Sequence, residues 1–507
     1  MAAQKSIVLV TVDCLRADHT GFMGYQPATT PFLDSLAAES FVFPAAIVAG
    51  APTYYSLPAI LASRYPLALG RDVLGVAPEE PTLASVLKDA GYATAALVAA
   101  NPYISGRFGY EQGFDTFRDF LEEKPAPLAD FQVNVRGGNG WASRLNLSLQ
   151  KINSALGPFR FIYDEVYFRY CQRVLPVPGS IDALRRFPAA DEIVDCACGW
   201  LSSVGDGPFF LWLHLMDPHG PYYPKENALA MMGQSGVTPS RAQYLNSYWN
   251  RSDLGARRLA RHSEEVVALY DAGIRWVDAQ MERLVAAMRG SGQWDHCIFA
   301  FTADHGEEFL DHGGRYHPPS RLMEELIHVP LLVRVPGSTK KVLGKNPFSL
   351  VHLAPTLLGA ARVPAEATFQ GRNFWPDMEA GADEVAIAEC VAGCTNPFWR
   401  ENRMGPRVLA VRDARYKLLL HFDPATEYLY DLEADPGERV PLASEAQRPV
   451  RRRLLEAARE HLRAASDPQV SNQRARTQTR LRELRLEWAR PVPQRADNIA
   501  HLDPRAQ

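Results

Sequence analysis

Residues 297–308 read CIFAFTADHGEE, an apolar run that ends in a polar and acidic segment. Residues 6–13, SIVLVTVD, and residues 209–219, FFLWLHLMDPH, follow the same pattern. Apolar runs of this length predict strands that are buried on both faces of a parallel sheet. Because the carboxyl ends of parallel strands meet at one edge of such a sheet, we expect the polar side chains after each run to lie close together.

Helical patterns separate these strands along the chain. Helices are predicted from Thr30 to Ala37, from Pro81 to Gly91 and from Ser263 to Arg289. Two further strands are predicted at residues 94–98 and 329–336. This alternation of strands and helices predicts an α/β sandwich with a mainly parallel central sheet.

The sequence changes character after about residue 380. Short runs at 408–411, 416–421 and 428–432 predict a small antiparallel sheet packed beside the main core. From residue 450 onward, 13 Arg stand against 7 acidic residues, with leucines such as Leu481 at helical spacing. This tail is expected to form solvated amphipathic helices or, alternatively, an arm for homo-oligomerisation.

Composition excludes several classes of protein. The 507 residues are 47% hydrophobic and 22% charged, which is ordinary for a globular protein and excludes wholesale disorder. The net charge of −4 gives no basic footprint, so we expect no nucleic-acid partner. The apolar run 7–12 is too short for a signal peptide, and no run approaches the ~18 residues of a membrane span. We therefore expect a cytoplasmic protein without a membrane span.

Five side chains at the ends of the predicted strands could hold a metal ion. They are Asp13 after the first strand, Asp217 and His219 after a later one, and Asp304 and His305 after residues 297–302. A mixture of carboxylate oxygens and imidazole nitrogens is the ligand set of divalent cations such as zinc and manganese. One Asp-His pair is weak support, but three such strand ends predict a metal site.

Several motifs resemble the sulfatase family of the alkaline phosphatase superfamily. They occur in the order typical of that family, at residues 13–18 (DCLRAD), 301–307 (FTADHGE), 324–331 (EELIHVPL) and 415–418 (RYKL). The resemblance implies an alkaline phosphatase-like sandwich with a small C-terminal α+β subdomain. It also implies three segments: a catalytic domain at 1–380, the subdomain with its antiparallel sheet at 381–449, and an Arg-rich helical tail at 450–507.

The resemblance assigns Asp13, Asp304 and His305 as ligands of a divalent metal. The nucleophile of the family lies in a Cys-or-Ser-x-Pro-Ser-Arg stretch, which corresponds here to residues 53–57, TYYSL. Thr53 therefore replaces the residue that sulfatases convert to formylglycine, and Leu57 replaces the Arg that supports it. Related superfamily members use a Thr as nucleophile, and a metal-bound hydroxyl is a usable nucleophile at neutral pH.

The identity of the metal follows from the residue beside Asp13. The family pattern places a second acidic residue there, a hard ligand typical of a calcium site, whereas this chain has Cys14. The remaining ligand set favours Mn²⁺ or Zn²⁺ over Ca²⁺. Cys14 itself is interpreted as a packed small thiol, with metal ligation as the alternative.

Two further histidines are candidates for the site. His219 matches the x-Pro-His-x-Pro loop of the family and is a candidate proton donor to the leaving oxygen or an oxyanion contact. Alternatively, Asp217 and His219 bind a second metal, or the loop is only a turn with an exposed histidine. His317 lies near the position of a family lysine and is a candidate catalytic residue.

Four other side chains are weaker candidates for the site or are interpreted as part of the core. His312, Arg16 and Asn101 are weaker candidates for the site than His317. His214, inside a predicted strand, is interpreted as a core histidine.

The function implied by these residues is metal-dependent hydrolysis of a phosphate or sulfate ester of a small molecule. Metal-activated Thr53 would attack the ester and form a covalent intermediate that water releases. The absence of formylglycine favours phosphate over sulfate esters. Two alternatives remain: a transferase similar to phosphoethanolamine or phosphoglycerol transferases, and a degenerate, non-catalytic binding protein.

Overall fold

The computed structural model describes residues 4–71, 73–121, 160–174, 176–338, 341–378, 385–443 and 447–464. Its strands, in chain order, are β1 Ser6–Val12, β2 Phe41–Val42, β3 Ala46–Ile47, β4 Ala93–Val98, β5 Thr116–Arg118, β6 Phe209–Leu215, β7 Cys297–Ala303, β8 Glu308–Phe309, β9 Arg315–Tyr316, β10 His328–Val329, β11 Leu331–Arg334, β12 Lys341–Val342, β13 Phe348–Ser349, β14 Ala386–Val391, β15 Arg407–Arg412, β16 Tyr416–Phe422 and β17 Ala425–Asp431.

The α-helices of the described residues lie between and after these strands. They are α1 Pro31–Leu36, α2 Thr53–Ala62, α3 Leu83–Asp89, α4 Arg160–Val174, α5 Ala190–Ser203, α6 Glu226–Met231, α7 Pro239–Trp249, α8 Ala256–Leu259, α9 Ser263–Gly290, α10 Glu324–Ile327, α11 Leu353–Ala361, α12 Arg400–Arg403 and α13 Arg448–Ala464. Within this part of the chain, every helix falls short of the combination of length and apolar character that crossing a bilayer requires.

The central sheet has eight strands in the order β12-β2-β11-β7-β1-β6-β4-β5. The strands β7, β1, β6, β4 and β5 are mutually parallel, and β11 alone runs against its neighbours. All residues of β1, β6 and β7 are buried, so both faces of the sheet are covered. The prediction of an α/β sandwich with a mainly parallel sheet is confirmed.

One predicted strand is wrong in its extent. The sequence predicted a single strand at 329–336, but the structure divides it at Pro330 into β10 and β11. The two pieces pair with different sheets, β10 with β3 and β11 with β7. Proline has no backbone N–H to give to a ladder, so a break at this residue leaves no donor unpaired.

Helices pack around the sheet in two groups. Helices α1 and α5 both contact the long helix α9, whereas α2 and α3 contact α11, which in turn lies on β1 and β7. The predicted helices at 30–37, 81–91 and 263–289 correspond to α1, α3 and α9. The start of α3 is capped by Thr82, whose hydroxyl accepts from the Ser85 amide at 3.0 Å.

The C-terminal segment forms a four-stranded antiparallel sheet in the order β14-β15-β16-β17. Helix α13 packs Leu454 and Ala458 onto this sheet, so the first part of the predicted tail is an amphipathic helix with a buried face. Residues 465–507, on which the further predicted helices and the oligomerisation arm fall, lie outside the described residues.

A buried lysine joins the C-terminal sheet to the main core. Lys417 on β16 has no exposed surface and lies 2.9 Å from Glu438 Oε1 and 3.4 Å from Glu324 Oε1. Glu324 begins α10, directly before the strand pair β10 and β11 of the main body. The two parts therefore share an ion network that is shielded from water.

Candidate active site

The carboxyl ends of four neighbouring parallel strands deliver the polar side chains to one edge of the sheet. Val12 at the end of β1 stands in register with Leu215 of β6 and with Ala303 of β7. The next residues, Asp13 and Asp304, therefore leave the sheet side by side. Backbone bonds continue past the strands, from Asp13 N to Leu215 O at 2.9 Å and from Asp304 N to Val12 O at 3.3 Å.

Thr53 also lies at this edge of the sheet. It is the first residue of α2, a helix in which all ten residues are buried. Its Oγ1 lies 3.2 Å from His305 Nε2 and 3.4 Å from Asp13 Oδ2. His305 Nε2 also lies 3.5 Å from Asp13 Oδ1 and 3.7 Å from Asp304 Oδ2. The structure thus brings together the four residues for which a metal site was predicted.

A backbone contact fixes the orientation of His305. Its Nδ1 bonds to the carbonyl oxygen of Gly306 at 2.8 Å, which makes Nδ1 the protonated nitrogen and leaves the Nε2 lone pair towards Thr53. Residue 306 must be a glycine because a Cβ there would lie 1.9 Å from the carbonyl oxygen of Glu325. The DHG motif therefore sets the imidazole that faces the site.

Asp13 is held by two further side chains. The amide of Asn101 donates to Asp13 Oδ2 at 2.7 Å, and His214 Nε2 lies 3.5 Å from the same oxygen. Asn101, a weak candidate from the sequence, thus belongs to the cluster. His214 was interpreted as a core histidine; it is fully buried, but its ring also faces Asp13. The sequence holds no signal for this contact, which depends on the register that places His214 of β6 opposite Thr11, two residues before Asp13 on β1.

The charges of the two aspartates are not balanced by the protein alone. Burial opposes ionisation of Asp13, but the neighbouring His219, His214 and His305 hold its pKa well below the ordinary range. Burial and the Asp13 carboxylate raise the pKa of Asp304. Within the described chain, Asp304 Oδ2 has no hydrogen-bond partner although it is buried.

A divalent cation fits this set of residues. Asp13, Asp304 and His305 supply carboxylate oxygens and an imidazole nitrogen around the Thr53 hydroxyl. A bound cation would also give Asp304 Oδ2 the partner that the described residues do not provide. Asp13, His214 and Asp304 also have ligand atoms within 4.8 Å of one another. The residues that would hold the ion are therefore the predicted ones, with His214 added beside them.

A second group of side chains lies next to Asp13. Cys14 Sγ lies 3.2 Å from Asp13 Oδ1 and 3.3 Å from His317 Nδ1. The rings of His219 and His317 have their centroids 5.2 Å apart, and those of His305 and His317 lie 4.7 Å apart. Burial and nearby carboxylates, first Glu307, raise the pKa of the Cys14 thiol well above its ordinary value. Both His219 and His317 thus lie beside Asp13, Thr53, Asp304 and His305, which together form the Asp13 cluster.

Asp217 does not join His219. Its Oδ1 pairs with the guanidinium of Arg185 at 2.8 Å, and both side chains are almost entirely buried. The ligand groups that contain Asp13, Cys14 or His219 do not include it. The alternative in which Asp217 and His219 share a second metal stays a prediction: Oδ1 is paired with a buried cation, whereas Oδ2 has no hydrogen-bond partner within the described residues.

Arg16 and His312 serve other contacts. Arg16 pairs with Asp18 and Asp311, each at 2.8 Å. His312 Nδ1 lies 2.7 Å from Glu325 Oε1, and this contact raises the pKa of the imidazole. Neither residue lines the cavity beside Thr53.

A cavity of about 490 Å³ opens onto Thr53. Asn101, His219 and His317 line its polar side. The rest of the wall is largely aromatic or apolar and includes Tyr54, Tyr103, Leu121, Phe187, Tyr316 and Pro318. A molecule bound here would place one polar end at Thr53 and an apolar part against these rings.

The profile of the sulfatase family matches residues 5–363. The chain belongs to the sulfatase family. A second profile, N-sulphoglucosamine sulphohydrolase, C-terminal, matches residues 315–464, which include the antiparallel sheet and α13. The family recognised from the motifs is thus confirmed, whereas the profiles do not distinguish a Thr nucleophile from formylglycine.

Relatives of this sulfatase-family chain include an arylsulfatase and a multifunctional member of the alkaline phosphatase superfamily. Arylsulfatase K of Bos taurus is 26% identical over 284 residues, which cover 49% of this chain and 51% of that protein, so the match spans about half of the relative. The multifunctional alkaline phosphatase superfamily protein PehA of Trinickia caryophylli is 22% identical over 490 residues, covering 87% and 92%.

Solved structures share the fold over nearly the whole chain. The phosphonate monoester hydrolase of Silicibacter pomeroyi superposes with a TM-score of 0.62 at 19% identity, covering 91% of this chain and 95% of that one. The corresponding enzyme of Agrobacterium radiobacter gives 0.60 at 18% identity, covering 91% and 96%. The predicted alkaline phosphatase-like architecture with its C-terminal antiparallel sheet is confirmed.

Proposed function

We propose that the chain is a metal-dependent hydrolase of phosphate or sulfate esters in which Thr53 is the nucleophile. The observation that carries this proposal is the position of Thr53 Oγ1, which lies between His305 Nε2 and Asp13 Oδ2 and at the wall of the cavity. Membership of the sulfatase family supports ester hydrolysis, and the buried carboxylates support a bound cation.

Each residue of the site has its own role in the proposed reaction. When bound, a divalent cation would lower the pKa of the Thr53 hydroxyl and offset the charge of the non-bridging oxygens. Thr53 Oγ1 attacks the phosphorus or sulfur, and the bond to the leaving alcohol breaks on the side of His219 and His317. Water then hydrolyses the phospho- or sulfo-threonine and restores the hydroxyl. The positive end of α2, on which Thr53 stands, favours the developing negative charge.

The substrate class follows from position 53 and from the cavity. Thr53 cannot become formylglycine, which favours phosphate and phosphonate esters over sulfate esters. The aromatic wall formed by Tyr54, Tyr103 and Phe187 favours an aryl or similarly apolar leaving group. We therefore propose aryl phosphodiesters, phosphonates and phosphomonoesters as the preferred substrates.

The nucleophile can be tested by trapping the covalent intermediate. Purified protein supplied with Mn²⁺ or Zn²⁺ is assayed on an aryl phosphodiester, an aryl phosphonate, an aryl phosphomonoester and an aryl sulfate, and acid-quenched samples are measured by intact mass spectrometry. Thr53→Ala should lose turnover and the mass adduct, whereas Thr53→Ser should keep part of both. Thr356→Ala, which removes a buried hydroxyl on α11, is the control and should keep both.

The outcomes separate the parts of the proposal. Turnover that survives Thr53→Ala would eliminate Thr53 as the nucleophile. Robust arylsulfatase activity without phosphodiesterase activity would reverse the preference for phosphorus. Full activity after exhaustive chelation would rule out the metal.

A further inference from the structure

Cys14 stands in surroundings unlike those of two other buried thiols, Cys297 and Cys390. Its sulfur contacts an ionisable group on each side, the Asp13 carboxylate at 3.2 Å and the His317 imidazole at 3.3 Å. By contrast, Cys297 and Cys390 donate to backbone carbonyl oxygens, of Ile298 and Pro319 respectively. A thiol that only filled space would have apolar neighbours, so the interpretation of Cys14 as a packed residue does not account for its contacts.

Three metal-ligating side chains converge at this point. The ligand atoms of Cys14, His219 and His317 all lie within 4.8 Å of one another. The ligands of one tetrahedral zinc ion stand roughly 3.5 Å apart, given metal–ligand bonds of about 2.0–2.3 Å. A small inward movement of these side chains would therefore place their ligand atoms at three of the four vertices of a tetrahedron around one ion.

The contacts of His219 prepare it as a ligand. Its Nδ1 bonds to the carbonyl oxygen of Gly220 at 2.6 Å, which makes Nδ1 the protonated nitrogen. The lone pair is then on Nε2, the atom left for a metal. This backbone contact is the kind of outer partner that fixes the tautomer of metal-bound histidines.

Glu307 supplies an independent indication that a cation fits at this point. Its side chain is fully buried, and Oε1 lies 3.3 Å from His317 Nδ1. Within the described residues, Glu307 Oε2 has no hydrogen-bond partner. A buried carboxylate oxygen without a partner is costly, and a cation held by the adjacent imidazole would offset its charge.

We propose that Cys14, His219 and His317 bind a second divalent cation, with zinc as the preferred metal. Thiolate and imidazole ligands select zinc over magnesium, calcium or manganese. Three protein ligands leave one tetrahedral position open, and His219 and His317 line the cavity into which it would point. The set differs from a pairing of His219 with Asp217, because Cys14 takes the place of the carboxylate that Arg185 holds.

The role of this ion, though not its existence, rests on the proposed function. An ion at this position would stand beside the Asp13 cluster, since Asp13 Oδ1 is only 3.2 Å from Cys14 Sγ. It would bind an oxygen of the ester in the cavity that Thr53, His219 and His317 line together. His219 and His317 would then act by holding the ion instead of giving up protons.

The test uses cobalt as a spectroscopic probe and metal content as a second measurement. The full chain is freed of metal, loaded with Co²⁺ and examined for the near-ultraviolet band of a thiolate–cobalt bond; zinc content is measured separately after dialysis. We expect the band in the native protein and its loss in Cys14→Ser, which keeps the size of the side chain. Zinc content should fall from two ions per chain towards one in Cys14→Ser and in His317→Ala.

Two further variants make the outcomes decisive. Cys297→Ala removes a buried thiol at the opposite end of β7 and should keep the band and both ions. Thr53→Ala should keep the band whatever it does to turnover, so failure of the proposed nucleophile would not be mistaken for failure of this site. Absence of the band in the native protein, or its survival in Cys14→Ser, would overturn the proposal. Should Cys14→Ser not fold, unchanged zinc content in His317→Ala would overturn it as well.

Discussion

Asn101 offers a quantitative test of how the first metal site is organised. Its amide donates to Asp13 Oδ2 at 2.7 Å, the shortest of the contacts to that oxygen, since Thr53 and His214 lie at 3.4 and 3.5 Å. Both partners of this bond are buried. Asn101→Leu keeps the volume of the side chain and removes the donor, so the carboxylate loses the bond that fixes its rotation. We expect weaker metal binding with little change in fold.

The size of the effect follows from the type of bond. A hydrogen bond to a charged group contributes about 1.5–3 kcal/mol. Loss of an outer partner of a metal ligand typically weakens metal affinity by about 10- to 100-fold. The assay is a competition titration of Zn²⁺ and Mn²⁺ against a chromophoric chelator, with thermal unfolding recorded in parallel.

A matched control separates orientation from general destabilisation. Asn246 is similarly buried, but its amide donates only to the backbone carbonyls of Tyr222 and Ala242. Asn246→Leu should lower the melting temperature and leave the metal dissociation constant within about twofold of the native value. The reasoning fails if Asn101→Leu binds metal as tightly as the native protein, or if both variants weaken binding equally.

Three other predictions concern the buried ion network and the cavity. Lys417→Met leaves Glu438 without its buried cation, while Glu324 keeps its pairing with Arg412, and should cost about 3–5 kcal/mol in urea unfolding, with partial recovery on adding Glu438→Gln; a loss below about 1 kcal/mol would contradict this. Burial opposes ionisation of Glu324, but Arg412 and Lys417 lower its pKa from 4.5 to about 2. Ionised Glu324 therefore contributes to the free energy of unfolding above pH 4.5, and this contribution is lost as the pH falls towards 2. Between pH 4.5 and pH 2, the free energy of unfolding should change less with pH in Glu324→Gln than in the native protein. Phe187→Ala should raise the KM of aryl esters about 10-fold or more and leave that of a methyl ester almost unchanged, whereas an equal rise for both would remove Phe187 from leaving-group recognition.

The main sheet and the convergence of Asp13 and Asp304 could be predicted because they depend on local signals. The apolar runs at 6–12, 209–215 and 297–302 are long enough to be buried strands, and the structure has them within one residue. Parallel pairing then requires that Asp13 and Asp304 leave the sheet together. Thr53 was found through the family motif, since no periodicity of residues 53–62 marks it as the start of a buried helix.

The sequence could not indicate the partner of a side chain where several buried partners were available. Asp217 and His219 are two residues apart in a loop, and only the fold shows that Arg185, from a distant segment, reaches the carboxylate. His214 has apolar neighbours in sequence, so it was interpreted as a core residue. Its ring nevertheless faces Asp13, because β6 pairs in register with β1. Charge pairing across strands cannot be inferred from the sequence of either strand alone.

The balance of charge at the sheet edge connects the two metal proposals. Asp13, Asp304 and Glu307 are three fully buried carboxylates, and the buried guanidinium groups of Arg185 and Arg16 are paired with other acids. Within the described residues, the basic groups that pair with these three carboxylates are the imidazoles of His214, His305 and His317, and an imidazole that binds metal gives its lone pair and carries no charge of its own. One divalent ion could offset the charge of Asp13 and Asp304, which leaves Glu307 and, once ionised, the Cys14 thiolate. On the two-metal proposal, a second divalent ion would restore neutrality at this edge, because the carboxylates and the thiolate that are costly to bury unpaired would then face two cations.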